Sequence, residues 1–290
     1  MKSCGSRWGI GVLLLSFGCS QPADPAFDLA AADAGPAADL VPPGGRPASD
    51  EFDGALTDWQ VPFPAQNDAL SVTSGRLILR PLARNHASWY SDDRAAFVAR
   101  SVTGDFVAEI DVQVGRRDDI NQAPRGQFSA GGLLLRDPQS RAPGGERWLM
   151  YNVGFQTTVP AREVKTTRPG SPDSLSTLYL MPSGGVLRGR LRVCRLGDTF
   201  RFFHQLSNEA ALVEEAYGVG TTPLGNGAAE ATPGVVPGGV IRLSRPDLPA
   251  TLQVGLMAGN YEAPYETEAR FDYIRFGAVS APADCVRPLP

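Results

Sequence analysis

From Asp50 onward, hydrophobic and polar positions alternate in short runs. The clearest is 105–114, DFVAEIDVQV: Phe106, Ala108, Ile110, Val112 and Val114 fall on one side, Val107, Glu109, Asp111 and Gln113 on the other. A period of two predicts a β-strand with one packed and one solvated face. Residues 69–80 read as two such runs broken at Ser74-Gly75, a hairpin turn between Val72 and Leu77/Leu79, and 190–205 repeats the pattern about Gly197-Asp198. Further strands are predicted over 131–136, 147–155, 251–258 and 269–276. Only 208–216 has a helix-like composition; it is short and is read as strand or loop. Two stretches rich in Pro, Gly, Ser and Thr, 157–185 and 218–249, are expected to be long loops at a rim. Roughly a dozen short antiparallel strands in about 240 residues make an all-β protein, a β-sandwich or jelly roll, as one domain.

Composition narrows the chemistry. The 290 residues hold two histidines (His86, His204), four cysteines and 27 basic residues, of which only Lys2 and Lys165 are lysines. So few Cys and His exclude zinc fingers, clustered metal sites and disulfide-dense scaffolds. A net charge of −4 argues against nucleic acid as a partner, because nucleic-acid binding needs a basic surface that replaces counterions. A serine triad would have to use His86 or His204, and no Gly-x-Ser-x-Gly elbow accompanies either.

The N-terminus reads as an address. Lys2 and Arg7 precede an apolar run, 10–17, too short to span a bilayer, and Gly18-Cys19 follows at once. This resembles the bacterial lipoprotein signal, with Ser16 where an apolar residue is usual; an ordinary secretory signal cut further on is the alternative. The resemblance implies a signal peptide over 1–18, lipidation of Cys19, and an exported chain in the bacterial cell envelope whose only membrane contact is that anchor. The stretch 20–48 has nine Ala, six Pro and four Asp with little to bury, so 19–48 is expected to be a disordered tether. The folded domain is then 49–279, with a short tail over 280–290. In an oxidising compartment the remaining thiols, Cys194 and Cys285, are expected to form a disulfide that pins the tail to the sheet, two free thiols being the alternative.

Spaced motifs carry a second resemblance. Glu51-Phe52-Asp53-Gly54, Trp59, Ser74-Gly75-Arg76-Leu77, Thr103-Gly104-Asp105-Phe106, the 131–136 run GGLLLR, Leu196-Gly197-Asp198-Thr199-Phe200 and the 271–276 run FDYIRF occur in an order similar to the concanavalin A-like lectin/glucanase superfamily, nearest its laminin-G-like modules. The resemblance covers about residues 50–278. It implies two curved antiparallel sheets with the concave one open to ligands, often glycans. Glycoside hydrolases of this superfamily place carboxylates along one strand. Here the matching stretch is Glu109-Ile110-Asp111-Val112-Gln113, which would make Glu109 the nucleophile and Asp111 its neighbour but puts Gln113 where the acid/base belongs. The plainer reading of the same three residues is the polar face of a strand. The opening 52–59 also resembles secreted hydrolases related to 3-keto-glycoside hydrolases.

Non-catalytic binding is therefore the leading expectation, with a carbohydrate ligand; a glycan-processing enzyme and a protein-interaction module of the envelope are the alternatives. Sugar rings stack on aromatics while polar groups fix their hydroxyls. Trp148 and Asn152 share the strand face opposite Leu149, Tyr151 and Val153, so they are expected to line the concave sheet with Glu109, Asp111 and Gln113. Trp89, Tyr90 and Tyr261 are further candidates, whereas Trp59 is expected in the core. No cofactor is required. A structural Ca²⁺ held by Asp53 and Asp272 is implied by the superfamily, the alternative being that both acids cap turns or pair with Arg275 and Arg270.

Overall fold

The computed structural model describes residues 48–83, 89, 95–141, 143–156, 159–218, 223–227 and 239–290. The calls on 1–47, which contain Cys19, and on Tyr90 and His86 lie outside the described residues.

The described residues form two antiparallel sheets, an all-β sandwich. The first has the order β1(Asn67–Val72)-β2(Leu77–Pro81)-β14(Thr267–Ala278)-β4(Phe106–Arg116)-β9(Arg188–Leu196)-β10(Thr199–Leu206)-β11(Val213–Glu214), with β12(Arg242–Ser244) also paired to β10. The second runs β3(Ala96–Thr103)-β13(Thr251–Gly259)-β5(Ser129–Arg136)-β6(Trp148–Phe155)-β7(Pro160–Arg168)-β8(Leu175–Pro182). The expected hairpin turns are present. Ser74 and Gly75 both take positive φ, 53° and 68°, the conformation a two-residue turn needs to match strand twist. Gly197, at φ 59°, turns β9 into β10.

Alternation decides the interior. Ala108, Ile110, Val112 and Val114 of β4 meet Leu133 and Leu135 of β5, Leu149, Tyr151 and Val153 of β6, and Val254 and Leu256 of β13 in one buried core, which also holds Trp59. The outward positions differ from expectation at two places. The polar side of β4 is not solvated throughout, because the tail lies over it. The Cys194–Cys285 disulfide (Cα–Cα 5.5 Å) ties the short 3₁₀ turn Pro282–Val286 to β9 and buries Val107, Phe203 and Val279 beside it.

The second correction concerns 157–185, expected to be a loop. It contains β7 and β8, two full strands of the six-stranded sheet. The strand β7 reads PAREVKTTR, and its residues Arg162, Glu163, Lys165 and Thr167 are all buried, so no exposed polar face marks its period. Burial of three charges in one strand is unusual unless they are paired, and those charges lead to the site.

Candidate functional site

The two outer faces of the sandwich hold the expected site residues separately. On the eight-stranded sheet, β4 points Glu109, Asp111 and Gln113 outward. Glu109 is 2% exposed: its Oε2 accepts from Arg192 Nε at 2.8 Å and lies 2.6 Å from Arg192 Nη2, while Oε1 accepts from the Tyr273 hydroxyl at 3.1 Å. Register places Arg192 directly opposite Glu109 across β4 and β9. Arg192 also donates to the carbonyls of Cys285 and Arg287, each at 2.9 Å, which seals the pair beneath the tail. Asp111 lies 3.6 Å from Arg188 Nε; burial, and Asp272 beside it, push its carboxyl above the ordinary range. Gln113 donates to the Ile120 carbonyl at 3.4 Å and to Asn121 at 3.2 Å. The expectation that these three line one surface with Trp148 and Asn152 is thus corrected. Each sheet turns its apolar side chains toward the other, so the polar faces of β4 and β6 point to opposite sides of the sandwich.

Asp272, expected with Asp53 to hold a cation, is engaged by two arginines instead. A register shift in β14 between Phe271 and Tyr273 leaves Asp272 as the extra residue of a bulge. Its Oδ1 lies 2.6 Å from Arg76 Nε and its Oδ2 3.1 Å from Arg188 Nη2, while Arg270 and Arg275 pair instead with Glu268 and Glu51. Asp53 is exposed, its carboxyl beside Gly75. Among the described residues no group of three or more His, Cys, Asp or Glu is placed to hold a metal ion.

The outer face of the six-stranded sheet is built differently. Its strands contribute Met257 (β13), Ala130 (β5), Met150 (β6), Glu163 and Lys165 (β7) and Leu178 (β8) to a cavity of about 200 Å³. Trp89, Phe128, Tyr261 and the Leu224-Gly225 loop complete its walls. Trp89 is held edge-on between Phe63 (5.6 Å), Phe97 (5.6 Å) and Trp148 (6.1 Å). Phe128 and Tyr261 meet edge to face at 5.8 Å. Phe128 has φ 50°, a left-handed conformation that costs a bulky residue on the order of 1 kcal/mol. On the other side, Leu224 bridges to Leu178, and Asn226 bonds the backbone of Ser174 and Ser176. Gly225, at φ 102°, permits that approach, since a Cβ there would lie 2.3 Å from the Ser176 carbonyl.

The polar groups of this cavity sit side by side on β7. Lys165, 3% exposed, donates to the Trp89 carbonyl at 2.5 Å and stands 5.2 Å from the centre of the Trp148 ring. Glu163, 2% exposed, is opposite Asn152, whose amide donates to Oε2 at 2.9 Å; Gln156 in turn donates to Asn152 at 2.9 Å. Oε1 of Glu163 has no hydrogen-bond partner, and neither has the indole Nε1 of Trp89. Burial pushes the Glu163 carboxyl above the ordinary range, against the pull of Lys165 and of the Asn152 and Gln156 amides. Of the residues expected from sequence, Trp89 and Tyr261 line this cavity; Trp148 and Asn152 do not, being fully buried behind it, Trp148 against Trp89 and Asn152 on Glu163. Glu163, Lys165 and Phe128 were not anticipated. The β-branched Val164, Thr166 and Thr167 between Pro160 and Pro169-Gly170 were the signal that could have marked the strand carrying the first two.

No protein-family model and no curated protein matches the chain. Solved structures do. A GH43 protein from Bacillus licheniformis overlays with TM-score 0.51 and 15% identity, covering 80% of this chain and 39% of that one. A xylan β-1,4-xylosidase from Bacillus halodurans gives 0.50 and 14%, again over 80% and 39%. A legume lectin-like domain from Entamoeba histolytica gives 0.45 and 9%, over 77% and 91%. The chain thus spans about two fifths of the two bacterial proteins. Likeness at these identities is one of fold, a β-sandwich of two antiparallel sheets.

Proposed function

We propose that the protein is an exported, lipid-anchored envelope protein whose sandwich recognises carbohydrate without cleaving it. The binding site in this reading is the cavity on the outer face of the six-stranded sheet. One observation carries it: a carboxylate oxygen, Glu163 Oε1, is buried without a partner among aromatic rings. Leaving such a group unsatisfied costs about 1–3 kcal/mol or more for a charge, a cost that a ligand hydroxyl would remove. Aromatic walls with a few fixed polar groups are what a sugar needs, since its ring faces are apolar and its edges are hydroxyls. That two proteins of this fold are a GH43 protein and a xylosidase is in keeping with a glycan ligand. The polar face that resembles a glycosidase strand supports no cleavage, because Glu109 is committed to Arg192 and Tyr273.

A glycan array probed with the exported chain, with and without calcium, tests the reading. Binding that Glu163→Gln and Tyr261→Ala weaken supports it, and an array without hits removes it. The anchor is tested separately: Cys19→Ala should move the protein out of the membrane fraction, and retention there would refute lipidation.

A further inference from the structure

We infer that the cavity takes one uncharged sugar ring end-on, the terminal residue of a glycan rather than an internal stretch of chain. This rests on the carbohydrate reading and narrows it. Size is the first argument. About 200 Å³ lies below the roughly 300–1,000 Å³ of sites for larger ligands, and leaves room for a single ring.

Closure is the second. A site for internal chain segments is a groove open at both ends. Here the Phe128–Tyr261 pair stands at one side, and the loop carrying Leu224 is tied to β8 at the other. That loop is fixed by backbone and side chain together, through the Leu178–Leu224 bridge, the Gly227 N–H on the Ser176 carbonyl and the Asn226 amide on Ser174.

Chemistry of the lining is the third. Two residues of the same cavity leave a donor and an acceptor unused, Trp89 Nε1 and Glu163 Oε1. A hydroxyl both donates and accepts, so neighbouring hydroxyls of one ring satisfy both. A cationic ligand would suit a lone carboxylate, but Lys165 already stands beside Glu163 and offsets its charge. An anionic ligand would meet Lys165 only at the expense of an unpaired Glu163. The neutral ring is the ligand that fits both.

Calorimetry on the full chain, purified in detergent, separates the possibilities. The probes are methyl glycosides of neutral hexoses and pentoses, the corresponding uronic acids and amino sugars, linear oligosaccharides of rising length, and a cyclic glucan that has no chain end. The expected result is binding of a neutral methyl glycoside, little gain in affinity along the oligosaccharide series, and none to the cyclic glucan. Glu163→Gln should weaken that binding about tenfold or more, since a charged acceptor is lost. Tyr261→Ala, at a rim residue 38% exposed, should weaken it with the fold intact and covers the case in which the Glu163 variant folds poorly. Affinity that climbs with chain length, equal binding of the cyclic glucan, or preference for a charged sugar overturns the end-on inference while leaving carbohydrate recognition standing. Failure of every sugar, short or long, removes the underlying reading instead.

Discussion

Glu109 and Glu163 invite direct comparison: each is 2% exposed, each lies on an interior strand of its sheet, and each points away from the shared core. Glu109 has both oxygens engaged, by Arg192 and Tyr273, under a tail that covers them. Glu163 has one oxygen on Asn152 and the other on nothing, at the floor of a cavity. Alternation built both faces alike, and the cover differs. Where a segment of the chain returns over the face, as residues 280–290 do through Cys285, charges are paired and the face is scaffold. On the other face, a polar atom beside the cavity is left for a ligand.

The largest effect should come from breaking the satisfied face. Arg192→Leu leaves Glu109 buried without its cation, which costs about 3–5 kcal/mol, because an uncompensated charge remains in the interior. Urea denaturation of the variant should show that loss, with sugar binding on the far face unchanged in the molecules that remain folded. A cost below about 1 kcal/mol, the level of a surface pair, would mean that Glu109 is not buried as described.

Opening the cover itself comes next. Replacing both Cys194 and Cys285 by Ala should cost about 2–5 kcal/mol, the range for a disulfide closing a loop whose ends are 91 residues apart. The same loss should appear when the unaltered protein is reduced. If reduction leaves the denaturation midpoint where it was, the tail is held by contacts other than the disulfide.

As pH falls, Glu163, whose carboxyl is raised, takes up its proton before the paired carboxylates do, and the loss of stability comes from the latter. Glu215 lies between the sheets with Tyr151 (2.6 Å), Arg162 (2.5 Å) and His204 (3.0 Å) on its Oε1, and His204 lies 3.3 Å from Glu209. Burial alone would raise its carboxyl, but the hydrogen bonds of His204 and Arg162 outweigh it and hold it below the ordinary range. Glu214, Asp247 and Glu266 are lowered as well, by arginine partners, and Asp284 is held down to about 2 by the Ser280 and Ala281 N–H groups and the Ser280 hydroxyl. A carboxyl lowered in the folded state contributes stability above its unfolded value, about 4 to 4.5, and that stability is lost as pH falls through and below this range. Denaturation midpoints taken from about pH 7 downward should therefore hold until about pH 5 and then drop. A midpoint that stays level down to about pH 3 would contradict the pairing.

Much of this was legible in the chain, for reasons that also explain what was not. The β4 alternation, the Ser74-Gly75 turn and the Gly197 turn each couple a local pattern to one backbone geometry, so they could be read without neighbours. The strand β3, AFVARSVT, is covered on both faces along its first half by Ala96 and Val98 inward and Phe97 and Ala99 outward, so it shows no alternation. In β7 the period is hidden in another way, because Arg162 finds Glu215 across the core and Lys165 finds Trp89 from a distant loop. Partners so far apart in sequence cannot be inferred from a single run of residues. Two of the three aromatics lining the site, Trp89 and Tyr261, could be nominated from the sequence, and Phe128 was not; the carboxylate that gives the site its polarity sat in a segment read as loop.

The smallest expected effect is the most discriminating, because its sign separates the two faces. Glu163→Gln keeps the shape of the side chain and removes a charge that burial opposes. A carboxyl raised in the folded state detracts from stability above its unfolded value, so at neutral pH the amide should fold as well as the carboxylate or better, by up to about 1 kcal/mol. Glu109→Gln strips Arg192 of its counter-charge and should destabilise by more than that. Measured together by urea denaturation at neutral pH, the two glutamine variants should move the midpoint in opposite directions, or Glu109 alone should move it. If Glu163→Gln costs as much as Glu109→Gln, then Glu163 is as fully satisfied as its counterpart, and the outer face of the six-stranded sheet is scaffold too.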